Sequence, residues 1–360
     1  MLFYWGVWAI VLLLALMWRE KYYAPGYKIL FVLFVIIALI TGGREHVGAD
    51  WESYQTYYVT GYAYDKVSGK VEPLFGLIRT VCYGLGCSYG FFCFVCCFIS
   101  LCILHKAIKL MGVRNCFLAF LVYLSLFFCN YQFNIIRHGL LASFMLLAMA
   151  HLSKKNKWKA AICVLMGCGF QIMGLIFIPL LFFIDKCLSK KAIIIIISVS
   201  FVLYLGDLSG RIISAFPVLA AFDRLASYVD PDQDDVYKLS IGILGFLAIA
   251  IYSIIIIRKD YEDSTIVRIM ANMVLLGFVI FCVLNGFSAL VQRIGNILNL
   301  GIVILLPYIW QRLQKTQIRV LSRVIIITYL ALYYPKSWNF SNEEGDYPML
   351  PFKTEITNLL

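Results

Sequence analysis

Long, uninterrupted apolar segments constrain the fold of this 360-residue sequence more than any other feature. Residues 29–40 are ILFVLFVIIALI, and comparable segments recur along the rest of the chain. Because these segments are continuously apolar, without alternating polar residues, they predict membrane-spanning α-helices and argue against a β-barrel. The composition agrees, since 62% of the residues are hydrophobic and only 14% are charged. The sequence therefore predicts an all-α, polytopic integral membrane protein.

Twelve apolar segments approach the length needed to cross a bilayer, and they predict a single transmembrane domain over residues 1–360. The predicted segments are 2–18, 28–43, 88–104, 116–130, 133–151, 158–170, 172–185, 191–206, 239–257, 266–285, 294–311 and 318–334. The pair 158–170 and 172–185 has two interpretations: one long kinked helix, or two short helices that meet at GCGFQ. Residues 1–18 lack a basic start and a cleavage site, so they predict a first span that is retained.

The basic residues predict the orientation of these helices. Six short loops hold 20 of the 31 Lys and Arg residues: 19–28, 105–115, 154–159, 186–191, 258–268 and 312–323. Fifteen of the 20 acidic residues lie on the other side. By the positive-inside rule the basic side is cytoplasmic, so both termini and the long loops 44–87 and 207–238 are predicted to face outward. The net charge of +11 reflects this distribution and does not indicate a nucleic-acid partner.

Two groups of potential metal ligands are better explained without a metal. Cys93 and Cys96 form a C-x-x-C spacing inside an apolar segment, where cysteine usually serves packing. Asp230 and Asp235 belong to an acidic turn that lacks the sixth-position Gly and the closing Glu of an EF-hand. We therefore predict neither a metal site nor a disulfide framework.

Polar side chains within the apolar segments point to a cavity. Asn134, Arg137 and His138 follow three- and four-residue spacing, so one helix would carry all three on the same face. A charged side chain near a helix centre costs about 2.5 kcal/mol or more, which makes an intramembrane arginine a functional hypothesis. A second polar stripe has the same spacing and comprises Gln292, Arg293, Asn296 and Asn299.

Further polar residues lie at the predicted outward ends, namely Arg44, Gln171, Arg224 and Tyr228. Each could simply extend to the interface, but several arginines at one face suit an anionic head group, because guanidinium groups bind phosphate oxygens bidentately. Two phosphates with a lipid tail correspond to a polyprenyl diphosphate. Aromatic residues around Trp51 and Tyr54 would either stack on sugars or form an ordinary interfacial belt.

Two spaced motifs carry a resemblance: Arg44-x-x-x-Gly48-x-Asp50-x-x-x-Tyr54 and Asn134-x-x-Arg137-x-Gly139-Leu-x-Ala142. Both are similar to motifs of the EpsG-like family of bacterial polysaccharide polymerases, which are relatives of the Wzy-type O-antigen polymerases. The order of features, including the Glu72-Pro73 step and the late Arg293, agrees over most of the chain. The chain departs from the family at Gln171, where members often carry His, and at His138, where they often carry Gln.

The resemblance implies a glycosyltransferase that joins oligosaccharide repeat units carried on undecaprenyl diphosphate, at the periplasmic face of the bacterial inner membrane. It implies lipid-linked glycan donor and acceptor, membrane lipids and a chain-length-regulating membrane protein as partners, with no cofactor. The residues expected to hold the substrate and its diphosphate are Arg44, Asn134, Arg137, Gln171, Arg224, Tyr228 and Arg293. The residues expected to act as base or orienting acceptor are Asp50 and Glu72, then His138. Asp50 has a second interpretation, in which it only orients Arg44.

Other function classes remain open. A lipid-linked oligosaccharide flippase would also have a cationic cavity, although it should carry polar residues near the midplane and often internal repeats. An O-antigen ligase has closely related chemistry. A membrane O-acyltransferase is disfavoured, because it would need a membrane His reached from the cytoplasm, whereas His105 is isolated.

The predicted orientation can be tested with reporter fusions. Fusions after residues 22, 110, 156 and 262 should report a cytoplasmic position, because they fall in the basic loops, and fusions after residues 65 and 230 should report the opposite side. A cytoplasmic signal after residue 65 would contradict the orientation and the outward position of the candidate site.

Overall fold

The computed structural model describes residues 1–18, 23–61, 71–206, 239–287, 290–313, 319–339 and 348–354. Within these residues the chain is helical, apart from one isolated antiparallel bridge between Arg44 and Thr354. The helices of the N-terminal half are α1 Leu2–Met17, α2 Tyr23–Gly42, α3 Trp51–Thr60, α4 Pro73–Gly84, α5 Tyr89–Leu110, α6 Cys116–Tyr123, α7 Ile136–Ser153 and α8 Lys157–Cys168. Those of the C-terminal half are α9 Lys190–Leu205, α10 Ile241–Ile251, α11 Arg258–Asp263, α12 Thr265–Val283, α13 Asn296–Asn299, α14 Ile302–Leu313 and α15 Arg319–Tyr333.

The described parts of the predicted apolar segments are largely helical, although some contain breaks, as at Ile135 and between Asn299 and Ile302. Five helical stretches are long and apolar enough to cross a membrane: Ala24–Gly42, Tyr89–Leu110, Ile136–Ser153, Thr265–Val283 and Val291–Leu313. Four shorter apolar stretches accompany them: Leu2–Met17, Cys116–Phe128, Ile172–Phe182 and Ile241–Ile256. The chain is therefore a multi-pass membrane protein by these criteria, and twelve crossings stay a prediction. The uncertain pair resolves into two parts, because α8 ends at Cys168 and short 3₁₀ turns begin at Ile172.

The chain divides into two compact units. The first comprises Met1–Leu181 and Leu306–Leu360, and the second comprises Phe182–Leu305. In the first unit, α7 packs between α5 and α8, while α5 also packs against α2. In the second unit, α12 packs against α9 and α10.

Polar groups inside the first unit are hydrogen-bonded to each other. The Gln132 side-chain amide donates to the hydroxyls of Ser100 at 3.0 Å and Tyr123 at 2.9 Å. The hydroxyls of Ser100 and Ser143 are 2.9 Å apart. Because buried polar groups are costly unless they are paired, this network fixes the relative positions of α5, α7 and the segment after α6.

The connection between α6 and α7 sets the positions of Asn134 and Arg137. Two π-helical turns, Leu124–Phe128 and Asn130–Asn134, follow α6, and the backbone then turns at Ile135. Asn134 therefore ends one helical segment and Arg137 lies in the first turn of the next, so the single shared helix face predicted from spacing is wrong for Asn134. Gly139 allows the close approach, since a Cβ there would lie 2.5 Å from the Tyr131 carbonyl oxygen.

Candidate functional site

A carboxylate at the start of α4 joins three segments of the first unit. Glu72 directly precedes Pro73, whose fixed backbone suits the first position of a helix. One Glu72 carboxylate oxygen accepts a hydrogen bond from the Arg137 guanidinium at 3.0 Å. The other oxygen accepts one from the backbone N–H of Ile172 at 3.3 Å. Glu72 therefore links α4 to the beginning of α7 and to the turn that follows α8.

The turn after α8 is also held through the backbone. The N–H of Leu74 donates to the Gly169 carbonyl oxygen at 2.8 Å. Glycine at position 169 allows this close approach, since a Cβ there would lie 2.5 Å from a methyl carbon of Leu74. The segment that begins with Glu72-Pro73 and the GCGFQ sequence are therefore in direct contact. Gln171 lies at its edge, directly before the residue whose amide binds Glu72.

Arg137 is more accessible than its partner. Its side chain is 34% exposed, whereas that of Glu72 is 12% exposed. The guanidinium also makes a hydrogen-bonding contact with Tyr54 of α3, and its central carbon lies 5.9 Å from the centre of the Phe75 ring. Burial raises the pKa of the Tyr54 hydroxyl, an effect that the nearby Arg137 charge opposes. A cation is thus held at fixed geometry by an anion, a hydroxyl and an aromatic ring, with part of its surface accessible.

Arg44, a predicted substrate-binding residue, stabilises the turn between α2 and α3. The Arg44 side chain is buried, and it donates to the carbonyl oxygens of Val47 at 3.1 Å and Thr41 at 3.0 Å. Its guanidinium also lies 5.1 Å from the Phe133 ring centre. In this structure Arg44 therefore binds the backbone of its own turn.

The first motif and the second motif are in direct contact through this turn. Gly48 has a φ of +121°, and a Cβ on it would lie 2.5 Å from the Phe133 carbonyl oxygen. The Asn134 side-chain oxygen accepts a hydrogen bond from the Ala49 N–H at 2.8 Å. Directly after Ala49, Asp50 begins α3, and its carbonyl oxygen accepts the N–H of Tyr54 at 3.0 Å. Only glycine satisfies both the backbone angle and the close approach, which explains why the first motif has glycine at position 48.

The remaining predicted site residues have different positions. His138 is buried directly after Arg137, and its ring centre lies 5.8 Å from that of Tyr131. Arg293 belongs to the second unit, on the π-helical turn Val291–Gly295. Arg224 and Tyr228 lie outside the described residues. Among the residues that the structure describes, no three His, Cys, Asp or Glu side chains are grouped as metal ligands would be.

Sequence reasoning missed two contributors to the site. Tyr54 was recognised as an aromatic residue of the first motif, but its contact with Arg137 was not predicted. The Ile172 amide is a backbone donor, so no side-chain pattern could have indicated it. Phe75 is buried on α4, which begins directly after Glu72, and this helix places its ring next to Arg137.

The comparisons with known proteins agree with the motifs. The model of the EpsG family matches residues 27–354, a range that includes every candidate residue of the site. No curated protein and no solved structure matches the chain.

The Glu72 contact should be measurable in the stability of the purified protein. Glu72→Gln should lower the free energy of unfolding by about 1–1.5 kcal/mol, because the partly exposed Arg137 charge loses its charged acceptor. Glu52→Gln is the control, since Glu52 is exposed in the first turn of α3 and should change stability by less than about 0.5 kcal/mol. Thermal unfolding in detergent compares the two variants. Equal midpoints would contradict a structural role for the Glu72–Arg137 contact.

Proposed function

Because the chain belongs to the EpsG family, we propose that it is a membrane glycosyltransferase that polymerises oligosaccharide repeat units carried on undecaprenyl diphosphate. Family membership supports a polysaccharide polymerase-type role. The lipid-linked donor, the O-antigen type of product and the absence of a metal requirement are parts of the proposal. The observation that carries it is the partly exposed Arg137 guanidinium, held by Glu72 and Tyr54.

Arg137 suits a leaving diphosphate. A guanidinium has five N–H donors in a planar arrangement, so Arg137 can bind Glu72 and a phosphate oxygen pair at the same time. Its accessible surface lies beside Phe75 and Tyr54, where the local dielectric is lower than in water and an ionic contact is correspondingly stronger. The charge that develops on the departing diphosphate would be stabilised by a group that is already in place.

The proposed reaction is a single displacement. A hydroxyl of the incoming repeat unit attacks the anomeric carbon of the growing chain, and the bond from that carbon to the diphosphate oxygen breaks. Undecaprenyl diphosphate leaves with the bonding electron pair, and the hydroxyl proton passes to a carboxylate. We assign this acceptor role to Asp50, which is half-buried at the start of α3, next to the segment that carries Tyr54. Glu72 acts as a positioning residue, because both of its oxygens bind protein donors.

The other predicted residues complete the proposal. Arg44 and Asn134 would act on the substrate indirectly, by holding the turn that places Asp50. Gln171 would contact the sugar or phosphate beside Glu72, while His138 remains an alternative proton acceptor. For Arg224, Tyr228 and Arg293, a contact with the diphosphate or the glycan stays a prediction from the sequence.

We propose the bacterial inner membrane as the location, with the site and both termini on the periplasmic side. The distribution of basic residues supports this orientation. The contacts of the first unit are compatible with it, since Phe3, the turn after α2 and residues 348–354 lie together at one end of that unit. A chain-length-regulating membrane protein is the expected partner.

Replacement of Arg137 tests the diphosphate contact. Arg137→Lys should fail almost as completely as Arg137→Ala, because lysine keeps the charge but cannot bind bidentately. In a strain that lacks the wild-type gene, both variants should leave the lipid core with one repeat unit and no polymer ladder. Arg79→Lys is the matched control, because it makes the same exchange at an arginine that is not assigned to the diphosphate. Arg79 instead donates to the carbonyl oxygens of Tyr58 and Val59 at the end of α3.

The polymer ladder also distinguishes a polymerase from a flippase or a ligase. A full ladder with Arg137→Lys, at unchanged protein level, would contradict the bidentate contact. A deletion strain with no repeat unit on the lipid core would contradict polymerisation and indicate a flippase or a ligase.

The role of Asp50 as proton acceptor is tested by a substitution that removes its charge and keeps its shape. Asp50→Asn should leave one unpolymerised repeat, because the amide cannot accept the hydroxyl proton. Glu45→Gln, a charge removal five residues earlier in the same turn, should leave the ladder nearly unchanged. A wild-type ladder with Asp50→Asn, measured at equal protein level, would remove Asp50 from the reaction and leave His138 as the acceptor to test.

A further inference from the structure

A short C-terminal segment, residues 348–354, lies along the turn that begins α3. The N–H of Gly48 donates to the Pro348 carbonyl oxygen at 2.8 Å, and the N–H of Glu45 donates to that of Lys353 at 3.1 Å. Thr354 pairs with Arg44 in the isolated bridge, and its hydroxyl donates to the Gly43 carbonyl oxygen at 3.1 Å. The segment therefore binds both ends of residues 43–48. We call residues 348–354 the strap.

The strap is itself anchored to α1. The Phe352 ring stacks on Phe3 with a centre-to-centre distance of 3.9 Å and an angle of 10° between the planes. Met349 is fully buried, and its carbonyl oxygen accepts a hydrogen bond from the Tyr4 hydroxyl at 2.8 Å. One aromatic stacking contact and one buried hydrogen bond hold the strap in place, and the turn is bound to the strap in that position.

The same turn is also held by the segment before α7. Asn134 accepts the Ala49 N–H, and Gly48 lies against the Phe133 carbonyl oxygen. Residues 43–49 thus contact both the strap and the start of the second motif. Asp50 follows directly, so the direction in which α3 begins depends on both contacts. Tyr54, one turn later in α3, contacts Arg137.

We infer that the strap is a positioning element of the reaction: residues 348–354 hold the turn that places Asp50 and Tyr54 opposite Arg137. This inference rests on the proposed function. It assigns a role to a segment about 300 residues away from the turn in sequence, which neither motif includes. Loss of the strap should leave the Glu72–Arg137 contact intact and displace Asp50.

Side-chain replacements in the strap test this role. Phe352→Ala removes the stacking on Phe3, and Thr354→Ala removes the bond to Gly43. Each should lower polymerisation on the order of tenfold or more, since a displacement of ~1 Å at a reacting group can cost about 100-fold. Thr354→Ser should restore the ladder, because serine keeps the hydroxyl. Lys353→Ala is the matched control, since its side chain is exposed and only its carbonyl oxygen binds the turn.

A second measurement does not depend on activity. In a Val47→Cys background, with position 47 buried in the turn, a membrane-impermeant maleimide should label residue 47 faster when Phe352→Ala or Thr354→Ala is added. Labelling is quantified on the peptide by mass spectrometry, and Lys353→Ala should leave its rate unchanged.

The two measurements together decide the inference. Faster labelling with a shortened ladder supports it. Unchanged labelling in both strap variants would overturn it, and so would faster labelling with a normal ladder, because the turn would then be loosened without effect on the reaction. If labelling becomes faster but the wild-type protein itself produces no polymer, the proposed function fails while the contact of the strap stands.

Discussion

The contact between the Glu72 carboxylate and the Arg137 guanidinium is the interaction on which the candidate site depends, because it joins segments that are distant in sequence. Glu72 begins α4, Arg137 lies in the first turn of α7, and the second carboxylate oxygen binds the turn after α8. A partly exposed ion pair of this kind contributes modestly to stability, since desolvation offsets much of the attraction. Its larger effect is geometric: it keeps a cation at one place and in one orientation, as preorganised charge stabilisation requires.

The turn between α2 and α3 leads directly into Asp50 and α3. It is held from within by Arg44, and it also binds Asn134 and residues 348–354. A turn that is restrained from three directions can place Asp50 and Tyr54 reproducibly, whereas an isolated loop of this length would sample many conformations. The family motifs therefore describe a packing arrangement as well as chemical groups. Gly48 and Gly139 both allow close backbone approaches, and Asn134 binds the backbone of the turn.

The sequence predicted an all-helical, multi-pass membrane protein correctly, because continuous apolar segments are a strong signal, while the number of crossings stays a prediction. The family was confirmed by the match over residues 27–354. The prediction was wrong where it treated Asn134 and Arg137 as one helix face, because spacing alone cannot show the break at Ile135. A substrate contact of Arg44 stays a prediction, and in this structure its guanidinium binds backbone carbonyl oxygens. The Ile172 amide and the carbonyl oxygens of Pro348 and Lys353 bind as backbone groups, which leave no side-chain pattern in a sequence.

Binding of a diphosphate by Arg137 is the central step of the proposed function. Native mass spectrometry of the purified protein, titrated with undecaprenyl diphosphate and separately with undecaprenyl monophosphate, tests it without any assumption about polymer length or membrane orientation. The wild-type protein should retain the diphosphate more strongly than the monophosphate, and Arg137→Lys should lose that preference, because only guanidinium offers a planar pair of donors. An unchanged preference in Arg137→Lys would contradict the account.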